Sequence, residues 1–182
     1  SRLRASARLL CTLSTQAAGA LEGLTSYVVG EGYTFRAAAR GTAPAPDELV
    51  AAVQDCIDDF EDANLWDELQ QELFQRDRRD GEWFLREFDD DHGTLLVRTV
   101  EPEQVLEPPG CDPEKESFGI LNKPEDLQQV TGYWVALDGN AGAGEEVDAD
   151  ELHHSKVNVD RLVKRGLTDF CFDTYEIGRA HV

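Results

Sequence analysis

Methionine is missing from this 182-residue sequence, cysteine occurs four times, proline seven times, and cations are scarce. The absence of methionine, even at position 1, predicts an internal piece of a longer product. Cys11, Cys56, Cys111 and Cys171 have no short spacing that would set two thiols on one metal. They read as reduced thiols of a cytosolic product, which argues against a disulfide framework or a zinc site. No apolar run approaches the roughly twenty residues of a membrane span; the longest, at 95–97 and 132–137, are strand-sized. After Arg2 and Arg8 the chain continues through Thr, Ser, Gln and Glu22 with no apolar stretch of signal-peptide type, so no secretory leader is predicted.

Seventeen Lys and Arg stand against thirty-seven Asp and Glu, for a formal charge of -20. Affinity for the phosphate backbone comes mainly from cations that displace counterions, so this balance excludes tight nucleic-acid binding as the main activity. The charge is uneven: residues 1–40 hold five Arg and two acids, a net +3, which leaves -23 on the remainder. With 41% hydrophobic and 30% charged residues, the composition is that of a globular protein.

The chain divides by hydrophobic period. From Ala5 to about Tyr27, Leu9, Leu13, Leu21 and Leu24 recur without proline, predicting one helix. It ends at Gly30 and Gly32, after which residues 31–35 alternate as a short strand. Leu49, Val50, Val53, Cys56, Ile57 and Phe60 recur at helical spacing behind Asp47 and Glu48, with Cys56 expected as a small buried hydrophobe on that stripe. Asn64 is the expected N-cap of a further helix with Trp66, Leu69, Leu73 and Phe74 on its apolar face. That helix runs out at Gly81 behind Arg78 and Arg79. The period then becomes two: residues 82–88 and 94–100 form a hairpin with the acidic tip Asp89, Asp90, Asp91 and His92. Residues 104–106, 119–121, 133–137 and 152–159 are further strand candidates. The expected fold is α+β, N-terminal helices and then a mostly antiparallel sheet, divided as a helical region at 1–80, a β-rich region at 81–170 and an end at 171–182.

Catalytic and metal motifs are weak. Consecutive residues on the acidic turn point in different directions, so Asp89–His92 reads as a solvated tip. His153 and His154 are adjacent in a strand and leave on opposite faces, so they cannot share a zinc; one facing the core and hydrogen-bonded is the expected outcome. Gly139, Gly142 and Gly144 resemble a phosphate loop, but the acidic run Glu145-Glu146-Val147-Asp148 follows where a helix N-terminus is needed, so a hairpin loop is expected. Glu82 and Glu87 illustrate the carboxylate pairs that a glycosidase-like hydrolase would use; in so acidic a chain such pairs arise without function. No enzyme activity, no metal and no cofactor is expected.

Several segments, in order, resemble the portal proteins of tailed phages, of the lambda type also found in prophages. These are Tyr27 to Phe35, with Gly30 and Gly32; Asp80-Gly81-Glu82-Trp83-Phe84-Leu85-Arg86; Leu96 to Val105, with Glu101-Pro102; and His154 to Leu167, with Lys156, Asn158, Asp160, Arg161, Lys164, Arg165 and Gly166. Thr168 stands where the family usually has a proline, and the sequence soon reaches Glu176 to Val182, which is similar to a translated sequencing adapter and is expected to lie outside the fold. The resemblance implies a wing-like fragment that stops before the stem helices. It also implies a role: a structural subunit of a homo-oligomeric ring at a capsid vertex, assembled in the host bacterial cytoplasm and carried in the virion. Such a ring is the conduit for DNA entry and exit, with terminase, capsid and head-completion proteins as partners and double-stranded DNA passing through. The basic island Lys156, Arg161, Lys164 and Arg165 then reads as an intersubunit patch or a transient phosphate contact. From the residues alone, a stand-alone acidic interaction adaptor and a carboxylate-based hydrolase are the alternatives.

Overall fold

The computed structural model describes residues 2–39, 45–89, 93–111 and 118–156, with the backbone alone at 127, 128 and 156. The chain is α+β: four helices precede six strands, which form two three-stranded sheets. It divides into two compact units. A helical unit takes the chain up to Arg79 together with Phe88–Val97, and a sheet unit takes Asp80–Glu87 and the chain from Arg98 onward.

In the helical unit the helices are α1 (Arg2–Leu13), α2 (Thr15–Val28), α3 (Asp47–Asn64) and α4 (Trp66–Asp80). The single helix expected over 5–27 is two. Ser14 adopts extended backbone (φ -108°, ψ 114°) and its hydroxyl accepts from the Ala17 amide, an N-cap that restarts the helix. Residues 31–35 are not a strand either. The extended segment after Gly32 is held by glutamine side chains: the Gln70 amide accepts from the Tyr33 N–H at 2.9 Å and donates to the Tyr33 carbonyl at 3.2 Å. Gln54 does the same work further on, accepting from the Ala37 N–H and donating to the Phe35 carbonyl. A Cβ at Gly32, where φ is +100°, would lie 2.9 Å from Asp67 Oδ1, so this close approach needs glycine.

Asn64 caps nothing at an N-terminus. It is the last residue of α3, and Leu65 behind it takes the left-handed conformation (φ 48°) that ends the helix. Its buried amide donates to the Phe60 and Leu95 carbonyls and accepts from the Val97 N–H at 2.8 Å. Cys56 is exposed, contrary to expectation. The inward side of α3 is set by Val50, Gln54, Ile57, Phe60 and Asn64, and the amide bonds of Gln54 and Asn64 turn Leu49, Val53 and Cys56 to solvent.

The strands are β1 (Glu82–Asp89), β2 (Leu95–Val100), β3 (Ile120–Lys123), β4 (Asp126–Val135), β5 (Glu145–Asp148) and β6 (Leu152–Lys156), ordered β2-β1-β6 and β3-β4-β5. The acidic run read as a loop is therefore strand β5, antiparallel to β4 with Val147 opposite Tyr133. One apolar residue in four suffices because Val147 is 1% exposed. The candidate strand at 104–106 is reduced to a bridge between Val105 and Val135. Phe84, Val100, Val105, Tyr133, Val135, Val147 and Leu152 form the core of the sheet unit.

Candidate functional site

Gly81 (φ +82°) ends α4 and turns the chain into β1, a backbone conformation that only glycine adopts without strain. From there β1 pairs antiparallel with β6: Glu82 lies opposite Lys156, Phe84 opposite His154 and Arg86 opposite Leu152. Two of the motif segments singled out in the sequence are thus neighbouring strands. The period of two then sorts the histidines. His154 turns inward, its side chain 5% exposed, while His153 turns out beside Glu87, with Nε2 2.5 Å from Oε1.

The His154 ring stacks on Phe84 with centroids 4.1 Å apart and planes 23° from parallel. Tyr133 meets both rings edge-on, at 5.8 Å and 79° in each case. Edge-to-face and offset stacking are the arrangements that the aromatic quadrupole favours. His154 Nε2 is 3.2 Å from Glu82 Oε2, so the imidazole is fixed by a carboxylate at its edge and by aromatic faces around it. Burial pushes the Tyr133 phenol above its ordinary range, because the charged form would lose its hydration. General acid or base work needs an imidazole that substrate can reach. His154 is enclosed, and what the arrangement does is lock the register of β1 on β6.

The Glu101-Pro102 segment forms a turn at the edge of the same core, between Val100 and Val105. Pro102 is buried, and Gln104 ties the turn down. Its side chain accepts from the Glu101 N–H and donates to the Leu137 carbonyl, while its own carbonyl accepts from the Ala136 N–H. Gly30 and Gly32 lie apart from these residues, in the helical unit, where the Gly30 carbonyl accepts from Gln71. Asn158, Asp160, Arg161, Lys164, Arg165 and Gly166, the acidic tip at 90–92 and the adapter-like tail lie outside the described residues.

The glycine-rich loop is bound up internally. Asn140 accepts from the Gly142 N–H in a short 3-10 turn at Ala141–Ala143, and Trp134 Nε1 donates to the Ala141 carbonyl at 2.9 Å. Gly144 lies against Trp134, where a Cβ would come 2.5 Å from Nε1. Among the described residues no group of three or more His, Cys, Asp or Glu is placed to hold one metal ion, and no helix is long and apolar enough to cross a membrane. Phe84 and Tyr133, the aromatic walls, were not singled out from the sequence. Their signal was the alternation of each strand, but which strands pair is a long-range fact.

No protein-family model and no curated protein matches this chain. The likeness to phage portals therefore rests on its motif segments.

Proposed function

We propose that this chain is a portion of the ring subunit of a tailed-phage portal, the conduit through which DNA enters and leaves the capsid. The observation that carries the reading is that the Asp80-Gly81-Glu82-aromatic segment and the His154–Lys156 segment lie side by side, joined by a Glu82–His154 bond across 72 residues. Motif residues that share one strand pair and flank one core, together with the Glu101-Pro102 turn, behave as parts of a single architecture. The charge of -20 suits a passive channel, since like charge keeps a packaged duplex from adhering while it slides. In this role the subunit hydrolyses nothing; it supplies surfaces for its neighbours, for a terminase motor and for head-completion proteins.

The test uses the full-length gene product under native mass spectrometry and electron microscopy. A closed ring of about a dozen subunits, built from head-to-tail interfaces, is the expected outcome. Changing Lys164→Glu together with Arg165→Glu is expected to weaken assembly at low salt. High salt should restore it in part, because screening acts over a Debye length of about 8 to 10 Å. A variant ring that stays intact at low salt would assign the basic island to DNA. A full-length protein that remains monomeric at every concentration overturns the ring reading and favours an acidic adaptor.

A further inference from the structure

Helix α1 carries its leucines on the wrong side for a self-contained protein. Leu3, Leu9, Leu10 and Leu13 are 83%, 57%, 57% and 75% exposed, and none of the helix's residues is buried. Positions 3, 10 and 13 fall on one side of a helix, with 9 beside them. The less exposed side of α1 is formed by Arg4, Ala7, Arg8 and Cys11. The helix bears three arginines and no acid.

Helix α3 presents the opposite surface. Leu49, Val53 and Cys56 make an exposed apolar row, Leu49 and Val53 at 56% and 45%. Glu48, Asp55, Asp59 and Asp62 run beside that row at spacings of seven, four and three residues, all exposed. The helix holds seven acids and no cation. In one copy of the chain both apolar rows face solvent, so they do not satisfy each other within that copy.

We propose that α1 of one copy packs its leucine row along the outer face of α3 of a second copy of this chain. Charge decides the occupant. Pairing α1 with α1 would bring arginines together, and pairing α3 with α3 would bring acids together. Pairing α1 with α3 sets three cations against seven acids over a shared apolar seam. Beyond residue 40 the chain carries -23, so the counterpart of this basic helix is another copy of the same acidic chain. The lengths also agree: twelve residues of α1 span about 18 Å and fit along the longer α3. The contact is heterologous, each copy giving one helix and receiving another, so it propagates from copy to copy. It depends on helical-unit residues alone and goes beyond the portal reading, which concerns the full-length ring.

Sedimentation and native mass spectrometry of the 182-residue chain test it. Self-association that grows with protein concentration and weakens with salt is expected. Changing Leu10→Glu with Leu13→Glu should weaken it at least tenfold, about 1.4 kcal/mol, and Val53→Arg with Asp59→Arg should do the same. All four positions are exposed, so unchanged far-ultraviolet circular dichroism is expected and separates lost association from lost folding. The decisive arm mixes the two variants. Each retains one intact face, so together they should form a dimer that grows no further. Four results overturn the proposal: a wild-type chain that is monomeric throughout, association unchanged in either variant, sensitivity to the α1 variant alone, or a mixture that stays monomeric.

Discussion

The two units solve the problem of holding a chain together in opposite ways. In the sheet unit, Trp83, Phe84, Leu85, Val100, Val105, Tyr133, Val135, Ala136, Val147 and Leu152 are buried, and among the described residues no polar or charged side chain is buried to the same degree. In the helical unit, Leu73 and Val97 are the buried hydrophobics, and Thr25, Asn64 and Asp77 are buried beside them. Of the sixteen exposed large hydrophobics among the described residues, fourteen belong to the helical unit. One unit is stabilised by apolar burial. The other is organised by amide side chains that bond to backbone, and it leaves its apolar surface outward. The contrast teaches that a helical pattern in the sequence fixes where helices form without fixing which side turns in.

The contrast breaks most visibly at Leu152, which is 1% exposed. Leu152→Ala should cost about 2 to 5 kcal/mol in urea denaturation, from lost transfer energy and a residual cavity. Hydrogen exchange followed by mass spectrometry should place the loss in β1, β4 and β6. Equal loss of protection in α1 and α2 would mean that the two units unfold as one. A smaller effect is expected at Asn64, where Asn64→Ala strands the buried Val97 amide and should cost about 1 to 3 kcal/mol. Its signature is faster exchange at Val97, with the Tyr133 region unaltered. Gln70→Ala, which removes two exposed bonds to Tyr33, should cost only about 0.5 to 1.5 kcal/mol.

The smallest effect is confined to alkaline solution. Burial raises the Tyr133 phenol above 10.0 in the folded chain, so the unfolded chain gives up its proton first. The contribution is complete below that value and is lost as pH rises through the raised folded value. Wild type should therefore lose stability above pH 10 faster than Tyr133→Phe does. Parallel pH curves for the two proteins would mean that the phenol is solvated after all.

The sequence made the architecture legible where period and capping agree. The α3 and α4 runs, the hairpin β1–β2 and the strand from Leu152 all emerge from spacing, and the opposed directions of His153 and His154 follow from the pleat. Four features escaped because residues distant in sequence decide them. Strand β5 has one apolar side chain and exists through its pairing with β4. Asn64 suits an N-cap by type, but it is claimed by Leu95 and Val97, 31 and 33 residues away. Gln54 and Gln70 replace the strand partner that residues 31–35 seemed to require. The break at Ser14 was local and readable, since a serine followed by an amide three positions on is a helix start. At the candidate site, Glu82, Phe84 and His154 could each be noticed alone, but only the register assembles them with Tyr133.

The glutamine-held segment has a consequence for how this chain meets others. In an extended chain, the N–H and C=O groups of alternate residues point to the same edge, and such an edge is a template onto which a foreign strand can zip. The groups occupied by Gln54 and Gln70 belong to Tyr33, Phe35 and Ala37, all on one edge. Two side-chain amides thus imitate a neighbouring strand, and that edge is closed to amyloid-like templating while the backbone stays extended.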